Sequence, residues 1–365
     1  MSPRHVIVVG AGIVGSAAAF RLAQAGMRVT LIDRDAPGNQ ASGKNAGHLN
    51  PIHLTPPPLV PFALECYGAH ARLADELAAL GCPGYGREPV RRILVAMNTD
   101  EAAGFEALRE KFRGRESFPT RLLDRESLRS LEPRVAPGAV GGLLLEGTMA
   151  VDPRALTGVL VDASVKQGAR LVRARVDRLD ASGRRIRAVC AGPHTLPCDD
   201  LVLATGPWVE ETEKWLGLQL PVRPLKGQLL RMSAPRGGLA YDLSSRCGAS
   251  LYRRGPGEVW VGGTEEDAGF DDAPTPEARA SLLAGAALLM PEMAEARLLE
   301  HTAALRPVTP DRMPVLERAR GWDNVILANG GGNKGVLLAA GMAEAVRTLL
   351  LGEPGETSTL IAPTG

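Results

Sequence analysis

The chain has almost no excess of either charge. Its 365 residues carry 42 Lys+Arg against 41 Asp+Glu, a formal net charge of +1, and the basic residues form no long blocks. The electrostatic footprint of a nucleic-acid binder is therefore missing, and no nucleic-acid partner is expected. Long hydrophobic runs are missing too: no apolar stretch approaches the roughly 18 residues of a spanning helix, so no transmembrane segment is expected. The N-terminus passes from Met1-Ser2-Pro3-Arg4-His5 straight into an apolar run, without the layout of a signal peptide. Cysteine is sparse. Cys66, Cys82, Cys190, Cys198 and Cys247 form no CxxC pair and have no histidines clustered near them. That pattern points to plain thiols in a reducing compartment rather than to a metal centre. A cytoplasmic chain without metal is the expectation. Internal repeats and low-complexity tails are also absent.

What is there is a globular composition, 45% hydrophobic and 23% charged, in a chain long enough for two domains. The strongest signal lies at residues 5–33. Val6-Ile7-Val8-Val9 is continuously apolar and β-branched, as in a strand buried on both faces. The turn Gly10-Ala11-Gly12-Ile13-Val14-Gly15 follows at once. Ile13–Ala25 is rich in Ala and Leu and reads as a helix stopped by Gly26. A second strand, Arg28–Asp33, ends on an acid. This strand–turn–helix–strand run is the layout of a dinucleotide-binding βαβ unit. Gly10 would allow the tight turn, Gly12 the close approach of backbone to a diphosphate, and Gly15 the packing of helix on strand. The helix N-terminus would face the phosphates, and Asp33 the ribose hydroxyls. Taken alone, the fingerprint permits NAD as well as FAD.

The next segment bears on that choice. Residues 40–51 read Gln-Ala-Ser-Gly-Lys-Asn-Ala-Gly-His-Leu-Asn-Pro. Ser42, Gly43 and Asn45 offer hydrogen bonds, and Ala46 and Gly47 permit close approach to a flat ring. An ordinary polar loop has the same composition. The fingerprint followed by Ala41-Ser42-Gly43-Lys44-Asn45-Ala46-Gly47 resembles the FAD-dependent D-amino-acid oxidase superfamily, which includes glycine oxidases, sarcosine oxidases and amino-acid dehydrogenases. Three further segments are similar to that family: Asp199–Trp208 with its Ala-Thr-Gly turn, Leu305–Asp311 with Met313-Pro314-Val315, and the strand Asn324–Asn329 followed by Gly330-Gly331-Gly332-Asn333-Lys334-Gly335-Val336 at the head of a helix running to about Leu351. That second glycine turn suits the flavin ring by the same helix-dipole logic. Asn329-Gly330-Gly331 stands where monooxygenase relatives carry a Gly-Asp-Ala type motif, which argues against a hydroxylase.

The resemblance implies an α/β fold, with a Rossmann-like FAD-binding domain and a second substrate domain on a mixed or antiparallel sheet. The FAD-binding pieces are scattered, so that domain is expected to be discontinuous: 1–60, 150–218 and 300–365, with 61–149 and 219–299 forming the substrate domain. Pro51–Pro61 reads as a rigid connection. Helices are expected at Phe62–Leu80, Asp100–Phe112, Asp152–Gln167 and Pro276–Leu289. Strands are expected at 91–97, 170–180, 185–190, 200–204, Gly227–Met232 and Glu258–Gly262, and Arg297–Arg306 is expected to return towards the cofactor.

The resemblance further implies an FAD site drawn from Gly10, Gly12, Ile13, Val14, Gly15, Asp33 and Arg34; from Ser42, Gly43, Lys44, Asn45, Ala46, Gly47 and His48; from Val176, Thr205, Gly206, Trp208 and Arg306; and from Gly331, Gly332, Asn333, Lys334, Gly335 and Val336. Arg306 matches the carboxylate-binding arginine of the family's Leu-Arg-Pro motif, and its planar fork suits a carboxylate. Tyr252 stands near the place of a substrate-facing tyrosine, two residues out of register with glycine oxidases; a core or rim tyrosine is the alternative. His48 is a candidate for a hydrogen bond to the flavin, a substrate contact or a covalent flavin link, against an ordinary structural histidine, and Asn50 shares its neighbourhood. Two positions depart from the family. Asn333 stands where some glycine oxidases have arginine, and Trp260 where sarcosine oxidases have an oxygen-activating lysine.

The expected reaction is oxidation of a small amine or amino acid to an imine, by hydride transfer to flavin N5, with glycine-oxidase-like activity the first choice. The electrons would pass to oxygen or another acceptor. A hydroxy-acid dehydrogenase, or a flavin-carrying subunit of a larger complex, remains the alternative, and a homo-oligomer stays open.

Overall fold

A computed structural model describes residues 3–246, 249–255 and 257–352. Cys247 and the stretch 353–365, both named in the expectations above, lie outside the described residues. In chain order the elements are His5–Val9 (β1), Ile13–Gln24 (α1), Arg28–Asp33 (β2), His48–Leu49 (β3), Val60–Ala79 (α2), Glu88–Ala96 (β4), Thr99–Glu110 (α3), Thr120–Asp124 (β5), Arg125–Leu131 (α4), Gly141–Ala150 (β6), Pro153–Lys166 (α5), Arg170–Arg173 (β7), Val176–Ser182 (β8), Arg185–Ala191 (β9), His194–Pro197 (β10), Asp200–Leu203 (β11), Val209–Leu216 (α6), Arg223–Ser233 (β12), Asp242–Ser244 (β13), Ser250–Arg254 (β14), Glu258–Gly262 (β15), Pro276–Leu289 (α7), Leu298–Val308 (β16), Val315–Arg318 (β17), Val325–Asn329 (β18) and Gly335–Leu351 (α8). The chain divides into two compact units: 1–86, 151–225 and 305–365 make the first, 87–150 and 226–304 the second.

The first unit is organised by a six-stranded sheet in the order β17–β18–β11–β1–β2–β7. Its strands from β18 to β7 run parallel, and β17 joins antiparallel at the edge. Both faces of a parallel sheet are normally covered, and β1 is buried along its whole length. Ile7, Val9, Leu201, Leu203, Val325 and Leu327 project to one side, into a core shared with Ile186 and Val189 of the antiparallel sheet β8–β9–β10 and with Leu216 of α6. α1 packs against α8 and α5, and α2 against α8. One glycine sets the closeness of the α2–α8 packing. A side chain at Gly341 of α8 would meet Cys66 of α2 and the ring of Phe62.

Residues 61–86, expected with the substrate domain, belong by contact to this first unit, because α2 lies along α8. Pro61 falls inside the first turn of α2 rather than ahead of it, where a missing N–H costs nothing. The run 170–180, expected as one strand, is two. β7 pairs with β2 in the parallel sheet, Ala174 N–H donates to Asp33 O at 2.8 Å, and the chain then leaves to form β8 in the antiparallel sheet.

The second unit is built on a mixed sheet running β16–β12–β15–β14–β13–β4–β6, with β5 also paired to β6. Most of its pairs are antiparallel, but β13 and β4 run parallel. Alternation puts Ile93, Val95, Leu230, Met232, Leu243, Leu251, Val259 and Val261 on one face, under Leu282, Ala286 and Leu289 of α7. The register leaves polar and aromatic residues between them: Arg92 opposite Asp242, Tyr252 opposite Trp260, and Trp260 opposite Arg231.

Candidate cofactor and active site

Three adjacent parallel strands of the first unit, β1, β11 and β18, each end close to a glycine in the left-handed region: Gly10 (φ 103°), Gly206 (φ 62°) and Gly330 (φ 72°). The crevice beyond the carboxyl ends of such strands is where open α/β sheets bind ligands. A cleft with about 1390 Å³ of empty space, part of it open to solvent, lies there.

Its first wall is the opening turn. A Cβ on Gly10 would stand 2.2 Å from the carbonyl oxygen of Ala204, and one on Gly15 would stand 1.9 Å from that of Gly10. Those two glycines are thus demanded by chain packing. Gly12 is different, because the nearest atom to a Cβ there is Ser42 Oγ at 3.2 Å. It is the N-cap of α1 and brings no capping side chain, and the first turn holds no acid. Ser42 supplies the cap from a distance, accepting from Ile13 N–H at 2.9 Å. The positive end of α1 is left free to face an anion. Asp33 is held firmly: Oδ2 accepts from Ala11 N–H at 2.6 Å and Oδ1 from Asp35 N–H at 2.8 Å. Further along the same cleft the Arg34 guanidinium lies 4.4 Å from the centre of the Trp208 ring, and Arg175 pairs with Glu211.

The loop after the ribose acid is braced from within. Asn45 Nδ2 donates to the carbonyls of Ala41 and Ser42, and its Oδ1 accepts from Gly47 N–H at 2.8 Å. A Cβ on Gly43 would meet Gly38 O at 2.2 Å, and one on Gly47 would meet Val151 O at 2.0 Å. Ser42 and Asn45 line the cleft; Gly43, Lys44, Ala46, Gly47 and His48 are outside its lining, as is Gly15. His48 is half-buried on β3. Asn50 is buried, and its Oδ1 accepts from Ile52 and His53 N–H at 3.1 and 2.9 Å, which makes it a turn former.

At the far side Gly331, Gly332, Asn333, Gly335 and Val336 line the cleft, together with Val176, Thr205, Gly206, Trp208 and Arg306. Lys334 sends its ammonium elsewhere, to the carbonyls of Asn50 and His53. Arg306 is half-buried on β16 between Leu305 and Pro307, which share the lining. Asn329 was not among the expected site residues. Its Nδ2 donates to Gly206 O at 2.7 Å and its Oδ1 accepts from Gly330 N–H at 2.8 Å, so one buried amide clamps two of the three glycine turns. An asparagine ending an apolar strand just before a glycine was the available signal.

In the second unit Tyr252 is half-buried on β14, with the Arg92 guanidinium 5.2 Å from its ring centre. Trp260 stands between the guanidinium groups of Arg254 and Arg231, at 5.2 and 5.9 Å, and its indole N–H donates to Glu258. That carboxyl is held below its usual range by its hydrogen bonds to Arg231.

Among the described residues no group of three or more His, Cys, Asp and Glu is set to hold a metal ion, and no helix is long and apolar enough to cross a membrane. The cleft fits the expected cofactor. Its turns exclude side chains where packing is tight, Gly12 keeps the approach to the α1 N-terminus open, and a fixed carboxylate stands beyond it for hydroxyl groups.

The family model described as DAO, FAD dependent oxidoreductase, matches residues 5–349. Glycine oxidase from Pseudomonas aeruginosa is 31% identical over 376 residues, covering all of both chains. The crystal structure of glycine oxidase from Geobacillus kaustophilus superposes with a TM-score of 0.90 at 26% identity, over 97% of this chain and 96% of that one. Iminodiacetate oxidase from Chelativorans sp. BNC1 shares the fold, with a TM-score of 0.88 at 24% identity over 96% of each chain. With a fingerprint cleft of this build and a match along nearly its whole length, the chain belongs to the family of FAD-dependent oxidoreductases typified by D-amino-acid oxidase.

Proposed function

We propose that this enzyme oxidises a small amino acid or amine, with glycine-like substrates first, and that Arg306 receives the substrate carboxylate. The observation that carries the reading is the position of Arg306 in the lining of the FAD cleft, near the end of β16 and together with residues of the second glycine turn. A guanidinium there offers a planar, always charged fork to a carboxylate. The two-electron acceptor for the hydride that leaves the substrate carbon would be supplied by FAD when bound. The chain's own tasks are then to bind and to orient. Gly12, the α1 N-terminus and Ser42 would receive the diphosphate, Asp33 the ribose, and the turn at Gly331, Gly332, Asn333, Gly335 and Val336 the ring. The first unit serves as the FAD-binding domain and the second as the substrate domain.

The side-chain bonds of Asn45, Asn50 and Lys334 assign them to bracing the walls. His48 stands outside the cleft lining, on β3. A cytoplasmic, reducing setting agrees with the free thiols of Cys66, Cys82, Cys190 and Cys198. Anaerobic mixing of the holoenzyme with a panel of amino and hydroxy acids tests the assignment. Bleaching of the flavin by glycine or another small amine is the expected result. Bleaching by hydroxy acids alone would replace the amine substrate with an alcohol, and bleaching by none of them would remove the enzyme reading.

A further inference from the structure

Lys334 closes the second glycine turn and is the N-cap of α8. Local rules disfavour it there, since N-caps favour Ser, Thr, Asp or Asn and the helix N-terminus repels a cation. A residue that breaks a local rule marks a place where tertiary structure asks for something else. Here the ammonium donates to two backbone carbonyls, Asn50 O at 2.8 Å and His53 O at 2.7 Å. An ammonium carries three donors and no acceptor, so it can hold several carbonyls of one turn together.

The turn it holds is fixed at other points too. Asn50 Oδ1 accepts from Ile52 and His53 N–H, and Thr55 N–H donates to Ile52 O at 3.2 Å. Within it Leu54 has φ 57° and is 71% exposed. Leucine is strained in the left-handed region, and such a conformation persists only where its surroundings over-determine it. The neighbours of Lys334 in sequence, Asn333 and Gly335, line the cleft. One side chain therefore joins the wall of the cofactor cleft to a strained turn outside it.

We propose that Lys334 is a positioning residue that couples the cofactor cleft to the 50–55 turn, so that bound FAD and the left-handed conformation at Leu54 stabilise each other. The proposal rests on the FAD assignment. Coupling of this kind is reciprocal: what FAD does for the turn, the turn does for FAD. It also explains the lysine: a Ser or Asp at this N-cap would cap α8 but could not span to the turn.

Hydrogen exchange of the holoenzyme tests it, with thermal release of flavin fluorescence as a second readout. In Lys334→Met the amides of 51–55 should exchange at least about tenfold faster, and FAD should dissociate about tenfold more readily, while amides of β1 and β11 keep native protection. Lys334→Arg should recover most of both effects. Leu54→Gly should raise the flavin-release temperature in the native background and do much less beside Lys334→Met, because the strain is then already relaxed. Native exchange at 51–55 in FAD-loaded Lys334→Met would overturn the coupling, as would loss of protection throughout the chain or additive effects of the two substitutions. If Lys334→Met does not fold, Lys334→Gln and the Leu54→Gly comparison carry the same test. A native protein that retains no FAD would refute the FAD assignment itself, which is a separate failure.

Discussion

Replacing Gly12 and Gly15 by alanine, one at a time, should separate the two jobs of one fingerprint. At Gly15 the new Cβ would stand 1.9 Å from Gly10 O and 3.3 Å from Ala204 Cβ, against backbone that has no slack. Overpacking of this kind costs about 1–3 kcal/mol. A helix-interior alanine gives back up to about 1 kcal/mol of propensity. A net loss of about 1–2 kcal/mol corresponds to a Tm lower by about 2–8 °C for a domain of 150–250 residues. At Gly12 the backbone is at φ −70°, ψ 177°, which alanine adopts freely, and the only close atom is the rotatable Ser42 hydroxyl at 3.2 Å. Alanine there should leave the flavin-free protein as stable as before, or more stable by about 0.4–1 kcal/mol. The methyl group would occupy the approach to the α1 N-terminus, and FAD affinity should fall at least about tenfold, or about 1.4 kcal/mol. The assay is thermal unfolding at several FAD concentrations, because ligand stabilisation grows as RT ln(1 + [L]/Kd) and separates from intrinsic stability. Native FAD affinity in Gly12→Ala, or a native flavin-free Tm in Gly15→Ala, would show that the packing argument is wrong.

Arg306→Ala should leave FAD bound and raise the substrate KM about 30- to 150-fold, the equivalent of losing about 2–3 kcal/mol of charge-assisted hydrogen bonding; steady-state kinetics with unchanged KM would remove Arg306 from the substrate site. Asn329→Ala leaves Gly206 O and Gly330 N–H without their clamp at a buried position, so the Tm should fall by several degrees with or without FAD, and FAD should bind less tightly. Stability should also decline on mild acidification. His5 is buried against Thr30, and burial, reinforced by Arg28, lowers its pKa below 6.5. The unfolded chain then binds more protons than the folded one as the pH falls through 6.5 towards the lowered value. The contribution of His5 is complete above 6.5 and is lost below it. Urea titrations at pH 7.5 and 5.5 should therefore differ less for His5→Gln than for the native chain.

Elements whose signals are local were legible in the sequence. β2 and α7 span the Arg28–Asp33 and Pro276–Leu289 that the residue pattern predicts, and β1 ends at Val9 as expected. The elements that escaped depend on distant partners. β6 opens on Gly141-Gly142 and contains Gly147, residues that read against a strand. The structure needs them there because β5 and the chain before it come close: a Cβ on Gly141 would stand 2.7 Å from Leu123 O, and one on Gly147 would stand 1.9 Å from Ser117 O. β7 and β8 were read as one strand for a related reason, since nothing within 170–180 announces that the first half pairs with β2 and the second with β9.

The cleft shows the same division at atomic scale. Its glycine turns are backbone devices, and a backbone that must be bare of side chains is written directly as glycine, at 10–15, 206 and 330–335. The side chains that make those turns rigid are written as ordinary asparagine, serine and lysine, and their partners lie far along the chain: Ser42 with Ile13, Asn329 with Gly206, Lys334 with Asn50. Family likeness marked Asn45 and Lys334 as cofactor residues because of where they stand. Their hydrogen bonds run instead to loop carbonyls, which is how a site made of flexible glycine keeps one shape. A turn free to adopt many conformations would pay its ordering entropy each time FAD bound; a turn braced by buried amides has met that cost during folding. Substitutions at Asn329 and Lys334 should therefore weaken FAD binding without either residue needing to touch it, and the loss should appear at the glycine turn each one anchors.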